Sequence, residues 1–254
     1  LTKDHTVITE RGPVRADEVQ PGDRIYTTRQ QVTPQEEALI VGSLAGDASL
    51  FLDRAGRSYV FRVGHGEAQK SFTDFKTRVL QTFTVHRRVC PQKGRGFSTI
   101  DGVLHLAETT ADPRLHPFHD LTYQEGTRHM TPAWLARMSP AALAVWYADD
   151  GETPEDRRAS ICVTSLGGAS AADLISQWMC QQGWPAKTYL RPDGHAYVRI
   201  AGSGRWEPDN GIGAFWTHLA PYMPSCMASK IPVQYRHLAD SAHFWDSPPL
   251  ATSA

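Results

Sequence analysis

Two stretches of the 254-residue chain decide the fold: LIVGSLAGDAS at residues 39–49 and LAVWYADDGE at residues 143–152. Each is an apolar run that ends abruptly in acid, at Asp47 in the first and at Asp150 in the second. A short apolar run with a polar end favours a buried helix when helix-start signals precede it. We therefore predict two matched helices, whose final acids lie 103 residues apart.

The residues ahead of both runs carry those start signals. TPQE at residues 33–36 forms a capping box with proline at the first helical position, and Ser-Pro at residues 139–140 opens the second run in the same way. The first helix is expected to begin there and to end near Ala48 and Ser49. The second helix is expected to end at Asp150.

The segments that follow each helix repeat in the same order, which indicates an internal repeat. Apolar alternation and helical spacing predict, after the first helix, strands near 50–53 and 58–64, a helix over 67–83, strands near 84–90 and 102–108, and a helical patch over 114–123. After the second helix they predict a strand at 158–164, a helix over 169–183, a hairpin over 186–202 and a helix over 211–223. The chain is therefore expected to be a pseudo-dimer.

Small residues on the two matched helices favour close packing. They are Gly42, Ala45 and Gly46 in the first helix and Ala144 and Ala148 in the second. Such packing would bring the two terminal carboxylates together at the negative ends of both helix dipoles, a costly arrangement unless divalent cations neutralise it. The alternative interpretation is that each acid only ends its helix at the surface.

The composition indicates a globular protein and excludes several other classes. Hydrophobic residues make up 41% of the chain, and no apolar run approaches eighteen residues, so neither disorder nor a membrane span fits. The four cysteines show no CxxC spacing, which argues against a zinc finger or a disulfide framework. The N-terminal LTKDHTVITE has no signal-peptide pattern, and a cytoplasmic location is expected.

Charge is balanced over the chain, with 26 Lys and Arg against 27 Asp and Glu, but residues 54–95 are basic. This window holds ten Lys and Arg residues against only Glu67 and Asp74. Arginine outnumbers lysine, and its guanidinium can bind guanine edges and phosphate through two parallel hydrogen bonds. The local excess favours a nucleic-acid partner despite the net charge of −1.

With these motifs the chain resembles the LAGLIDADG homing endonucleases, in particular their single-chain members with two motifs. Asp47 and Asp150 match the last acid of the family motif. The resemblance covers roughly residues 34–238, and its other segments are VGHGEAQKSFTDFK at 63–76, LTYQEGTRHMTPAWLARMSPAALAVWYADDGE at 121–152 and PYMPSCMASKIP at 221–232. The chain departs from the family in two places: Ala48 replaces the usual glycine, and Arg128 or His129 stands where a lysine is usual, whereas Lys230 keeps it.

The resemblance implies an α+β fold (α/β in the broad sense) of two tandem αββαββα repeats, whose twisted antiparallel sheets form a saddle over DNA. The expected domains are a β-rich segment at 1–30, repeats at 31–137 and 138–238, and a loose tail at 239–254. The implied partner is a long, asymmetric double-stranded DNA target, bound by one monomer.

The resemblance also implies a metal-dependent nuclease. The expected cofactor is Mg²⁺, with Ca²⁺ or Mn²⁺ able to substitute for binding or activity. Asp47, Asp150, Gly46 and Asp149 are the expected metal ligands, and Lys230 and Arg128 are expected to assist catalysis beside the two acids. The expected DNA-binding residues are Arg54, Arg57, Arg62, Lys70, Arg87, Arg88, Lys93, Arg95, Arg157, Arg158, Lys187, Arg191 and Arg199.

Residues 1–30 resemble part of a Hint domain, the self-splicing module of inteins, with His5 at the position of the Hint histidine. Splicing needs a terminal nucleophile and a terminal Asn, whereas the chain starts with Leu1 and ends with Ala254, so a remnant or a fragment is expected. Two alternatives to a free endonuclease remain: a LAGLIDADG protein without cleavage, acting as an RNA maturase or a DNA-binding regulator, and the endonuclease part of a longer intein.

Overall fold

The computed structural model describes residues 6–9, 12–23, 31–92, 102–152, 158–201, 211–241 and 244–246. The chain divides into two compact units, Leu1–Gln31 and Val32–Ala254. In the first unit, β1 (Thr6–Thr9) and β2 (Gly12–Arg15) form an antiparallel pair, followed by a single 3₁₀ turn at Ala16–Glu18. His5 and residues 24–30 lie outside the described residues.

The first matched helix begins where the sequence predicts. Helix α1 spans Pro34–Ala45, and the Thr33 hydroxyl accepts a hydrogen bond from the Glu36 N–H while the Glu36 carboxylate accepts one from the Thr33 N–H. The helix ends at Ala45, three residues before the predicted end at Ala48. At Gly46 the backbone leaves helical geometry, with φ −102° and ψ −123°.

The rest of the second unit follows the predicted order, and the fold class is confirmed. The first repeat continues with β3 (Ser49–Leu52), β4 (Tyr59–Gly66), α2 (Lys70–Val79), β5 (Val85–Gln92), β6 (Gly102–Thr109) and α3 (His116–Thr122). The second repeat consists of α5 (Pro140–Asp150), β9 (Arg158–Cys162), α6 (Gly168–Gln181), β10 (Ala186–Leu190), β11 (Ala196–Ala201) and α7 (Gly211–Leu219).

After α3, and before the second repeat begins, lie two elements that the sequence did not predict: the hairpin of β7 (Tyr123–Gln124) and β8 (Thr127–Arg128), and helix α4 (Pro132–Ala136). The hairpin turns through Glu125 and Gly126, both with positive φ (50° and 77°), the geometry of a tight two-residue turn. The predicted helical patch over 114–123 therefore ends one residue early, at Thr122.

The two sheets have matching strand orders. The first sheet is antiparallel in the order β3-β4-β6-β5, and the second runs β10-β11-β9, so β9 and β11 correspond to β4 and β6. On the far side of β9, Gly151 forms an isolated antiparallel bridge with Ile161, and residues 153–157 lie outside the described residues. In β4 the buried residues Phe61, Val63 and His65 alternate with more exposed ones, so each sheet has a helix-covered face and an open face.

The core is built on α1 and α5, which cross in close contact. Both helices are buried on nearly every side, which explains why neither shows the apolar stripe of a surface helix. A Cβ added at Gly42 would lie 2.1 Å from the Ala142 carbonyl oxygen, so only glycine permits this approach. The predicted close packing of the matched helices is thus confirmed at this crossing point.

The segment after residue 239, expected to be a loose tail, is packed in its described part. A 3₁₀ helix spans Val233–Ser241, and Trp245 is buried, with its indole N–H donating to the Tyr222 carbonyl at 2.8 Å. Its ring meets Phe75 of α2 edge-on. Burial of a tryptophan supplies enough apolar contact to hold this segment. None of the described helices is long and apolar enough to cross a membrane.

Candidate functional site

The β7–β8 hairpin places Arg128 over the end of α1. Its guanidinium donates to the carbonyls of Leu44, Gly46 and Ala48 at 2.7, 2.7 and 2.9 Å. The carbonyls at a helix end carry partial negative charge, and a cation there stabilises the helix. The contact fixes the backbone on both sides of Asp47.

Lys230 makes the equivalent contacts with backbone carbonyls at the end of α5. Its ammonium group donates to the carbonyls of Asp149 and Gly151 at 3.2 and 2.8 Å, one on each side of Asp150. The predicted counterpart of this lysine, Arg128 or His129, is therefore Arg128. His129 instead donates its backbone N–H to the Thr122 carbonyl, and its ring lies near Gly167.

Asp47 and Asp150 line one open cavity of about 630 Å³. The side chain of Asp47 is 44% exposed and Asp150 is half-buried. Besides these acids, Gly46 and Arg128, the lining comes from the second repeat: Cys162, Thr164, Ser165, Arg191, Asp193, His195 and Tyr197. The structure thus brings together the two acids that the repeat spacing singled out.

Electrostatics make this carboxylate pair unfavourable without a cation. Burial, and then the neighbouring carboxylates of Asp47 and Asp149, raise the pKa of Asp150 to about 8, although Arg128 and Lys230 oppose the rise. A carboxyl with so high a pKa is held partly protonated at neutral pH. A divalent cation between the acids would remove the repulsion, so the donor set fits a metal that prefers oxygen ligands.

Asp149, predicted as a metal ligand, forms a buried ion pair. Its side chain is fully buried, and both carboxylate oxygens accept hydrogen bonds from Lys76 of α2, at 2.7 and 2.8 Å. The Asp47 backbone N–H also donates to this carboxylate, and burial still raises its pKa to about 6. Lys76 itself is fully buried. This ion pair joins α5 of the second repeat to α2 of the first.

His65 is the site residue to which the sequence assigned no role. From β4 its Nδ1 lies 3.5 Å from Asp47 Oδ2 and its Nε2 lies 3.6 Å from Asp149 Oδ1. Burial, and then the positive charge of Lys76 and Lys230, lowers its pKa to about 2, so the imidazole is neutral. Potential ligand atoms of Asp47, His65 and Asp149 all lie within 4.8 Å of one another. The segment 63–76 contains both His65 and Lys76, but only the folded chain shows that they meet the two acids.

The predicted DNA-binding residues divide into several groups. Those on the open faces of the sheets are Arg62, Arg88, Arg158, Lys187 and Arg199. Arg191 follows β10, pairs with Glu152 and lies over the Tyr197 ring. Arg54 and Arg57 are exposed in the β3–β4 connection, and Lys70 begins α2. Arg87 pairs with Asp74 of α2, on the helix-covered side. Lys93, Arg95 and Arg157 lie outside the described residues.

The model of the LAGLIDADG DNA endonuclease family matches residues 37–195, well over half of the chain. The chain belongs to this family. The matched region includes both acids, the Arg128 hairpin and the first strands and helices of each repeat. Family and fold together support a DNA endonuclease, and the endonucleases of this family are generally divalent-metal dependent.

The chain is also similar to individual curated proteins. The DNA endonuclease I-ChuI of Chlamydomonas applanata is 24% identical over 214 residues, which cover 79% of this LAGLIDADG chain and 95% of I-ChuI. Protein RecA of Mycobacterium gastri is 26% identical over 242 residues, covering 91% of this chain but 55% of RecA. The chain therefore spans about half the length of the RecA proteins that it matches.

A solved structure shares the fold. The homing endonuclease I-WcaI, bound to its DNA recognition sequence, superposes with a TM-score of 0.63 over 82% of this chain and 88% of I-WcaI, at 13% sequence identity. At this level of identity the likeness concerns the fold alone. It agrees with the fold class that the sequence predicts.

Proposed function

We propose that the chain is a site-specific, divalent-metal-dependent endonuclease that cuts both strands of a double-stranded DNA target as a monomer. The observation that carries the proposal is the meeting of Asp47 and Asp150 in one cavity, at the ends of two packed helices that belong to different repeats. One chain thus supplies both acids. The open faces of the two sheets, which carry arginine and lysine side chains, are the proposed DNA-binding surface.

The side chains around the cavity have distinct proposed roles. Asp47 and Asp150 would hold the metal, proposed to be Mg²⁺, with Ca²⁺ or Mn²⁺ as substitutes. When bound, the ion polarises the scissile phosphate and lowers the pKa of the attacking water. Arg128 and Lys230 fix the backbone on either side of the acids, and their proposed role is to stabilise the negative charge that develops on the phosphate. His65 contacts Asp47 from the buried side and limits the positions that its carboxylate can take.

The proposal is tested by a cleavage selection. A library of duplexes with a randomised central region is incubated with the chain in Mg²⁺, in Ca²⁺ and in EDTA, and the cut products are sequenced. We expect one long, asymmetric sequence to be cut on both strands in Mg²⁺ and left uncut in EDTA. A library in which no sequence is cut above background in Mg²⁺ or Mn²⁺ contradicts the proposal and favours a regulator or an RNA maturase.

A second proposal is that the chain is part of a longer intein. Two observations favour it: the match to RecA covers more than nine-tenths of this chain but about half of RecA, and residues 1–31 form a compact unit apart from the repeats. The Hint-like identity of residues 1–30 belongs to this proposal. This proposal is tested by sequencing the parent gene on both sides of the region that encodes this chain. The flanking sequences are expected to contain the remaining Hint motifs, and flanks without these motifs contradict the proposal.

A further inference from the structure

The open face of the first sheet is organised around one acid, Glu108. Glu108 is the single acidic residue on the described strands β3, β4, β5 and β6. Its side chain, 12% exposed, lies between two more exposed arginines and forms ion pairs with both, Arg62 of β4 and Arg88 of β5. Arg62 also lies over the Phe51 ring, 4.2 Å from its centroid. The Glu108 carboxylate therefore holds both guanidinium groups in place on the surface of the sheet.

The corresponding position in the second sheet carries the opposite charge. Glu108 of β6 faces Arg62 of β4 in register, and Arg199 of β11 faces Ser160 of β9 in the same way. Strands β6 and β11 match, and Arg62 lies as far before α2 as Ser160 lies before α6. Arg199 therefore occupies in the second sheet the position that Glu108 occupies in the first. Its neighbour across β10 is Lys187.

On the open face of the second sheet, Arg199 and Lys187 have no acid among the strands, and the acid beside β9, Glu152, pairs with Arg191 instead. The described strands β9, β10 and β11 contain no Asp or Glu. Arg199 lies against the Tyr189 ring, 3.2 Å from its centroid, and neither Arg199 nor Lys187 has an acidic partner among the described residues. The basic window of residues 54–95 thus overstates the positive charge on the open face of the first sheet. Glu108 lies outside the window and pairs with two of its arginines, and Arg87 pairs with Asp74 on the helix-covered side.

We propose that Glu108 is a specificity-determining residue that positions Arg62 and Arg88 toward base edges, whereas the second face supplies affinity that depends little on sequence. This inference rests on the proposed function. A carboxylate between two guanidinium groups fixes the direction of their remaining N–H donors. Donors with a fixed direction favour bidentate hydrogen bonds to guanine over contacts with phosphate, which do not require one orientation. The same carboxylate repels backbone phosphates, so binding in a wrong register is penalised.

The experiment compares Glu108→Gln with Glu37→Gln in the full-length chain. Glu37 is a matched control, because it also pairs with an exposed arginine, Arg137, at 2.9 Å, but at the start of α1 and away from the sheets. Affinity is measured in Ca²⁺ over a series of salt concentrations, for the duplex selected by wild-type cleavage and for a random-sequence duplex. The specificity ratio is the quotient of the two affinities.

Glu108→Gln is expected to bind the random-sequence duplex more tightly, with a log affinity that falls more steeply against log salt by about 0.9. The specificity ratio is expected to fall about tenfold, the size of one lost base contact. A repeated cleavage selection should show relaxed sequence over one half of the target only. Arg199→Gln should weaken both duplexes alike, with a salt slope shallower by about 0.9.

Two outcomes overturn the inference. One is a Glu108→Gln protein whose specificity ratio and salt slope equal those of Glu37→Gln; the other is a loss of sequence preference spread over both halves of the target. Should Glu108→Gln fail to fold, Glu108→Asp keeps the charge but shortens the reach to both arginines, and the specificity ratio is expected to fall with an unchanged salt slope. If the wild-type chain selects no target, the proposed function fails instead, so the two failures are distinguishable.

Discussion

Gly46 and Asp149 occupy the same position of the repeated motif, one residue before Asp47 and Asp150, and they face each other across the helix crossing. A Cβ added at Gly46 would lie 2.4 Å from Asp149 Cβ and 2.6 Å from its Oδ2. Only one of the two positions can therefore carry a side chain. Asp149 takes this space and reaches Lys76 in the other repeat. The seam between the repeats is thus asymmetric at the point nearest the two acids.

Gly46→Ala is expected to destabilise the fold by about 1–3 kcal/mol, because the added methyl overlaps the Asp149 side chain and displaces it from Lys76. Urea unfolding followed by circular dichroism measures the change. Gly66→Ala is the control, since a Cβ there meets nothing within 4 Å. Equal stability of the two variants would show that the crossing relaxes without cost.

Lys76→Met is expected to cost about 3–5 kcal/mol, because it leaves the buried Asp149 carboxylate without its partner. The double variant Lys76→Met with Asp149→Asn removes both charges and should recover most of the loss. Urea midpoints of the two proteins give the comparison. A single variant as stable as the double variant would mean that the ion pair contributes nothing to the seam.

Asp47→Asn and Asp150→Asn are each expected to abolish cleavage, or to slow it at least 100-fold, while binding of the selected target in Ca²⁺ persists. Each change removes a proposed metal ligand and no contact of the sheets with DNA. Lys230→Ala should do less damage, since one positioned cation supplies part of the stabilisation. Cleavage rates and affinities of all three are measured beside Glu37→Gln. An Asp variant that cuts at the wild-type rate would refute the assignment.

The metal-free protein is expected to lose stability as pH rises from about 6.5 to 8. The pKa of Asp150 is raised from 3.8 to about 8 in the fold, so between these values the folded chain retains a proton that the unfolded chain has released. Below about pH 6.5 the lowered pKa of His65 has the opposite effect, because the unfolded chain then binds a proton that the folded chain does not. Between about pH 6.5 and 8 the free energy of unfolding therefore falls with pH, by up to about 1.4 kcal/mol per unit, and the loss is complete above about pH 8.

Melting temperatures in EDTA at pH 5, 6.5 and 8 measure this dependence. Asp150→Asn should flatten the profile between pH 6.5 and 8, because the amide does not titrate, whereas Asp149 and His65 still titrate in the variant and affect the range below pH 6.5. Adding Mg²⁺ at pH 8 should raise the wild-type melting temperature more than that of the variant. Parallel pH profiles for the two proteins would show that Asp150 is not the titrating group.

Deletion of residues 1–31 is expected to leave metal-dependent cutting of the selected target intact, because these residues form a separate compact unit and both acids lie in the other. Binding to flanking DNA is the property that the deletion is expected to weaken. Cleavage rates and affinities for targets with long and short flanks test both statements. A truncated protein that binds but no longer cuts would assign a catalytic role to this segment.

Local patterns in the sequence determined the fold. The capping box at residues 33–36, the apolar runs ending at Asp47 and Asp150, and the spacing between these acids predicted two matched helices and a repeat. Each of these signals acts within a few residues or through a period that the backbone imposes, so no tertiary contact is needed to detect it.

Only the tertiary structure determined which side chains meet across the repeats. Lys76 and Asp149 lie in different repeats, and the sequence pattern around each residue does not show that the two form a buried ion pair. The same holds for Glu108, whose effect on Arg62 and Arg88 depends on strand register. A basic window counts charges along the chain, whereas electrostatic pairing acts through space over a few ångströms, and the fold sets those distances.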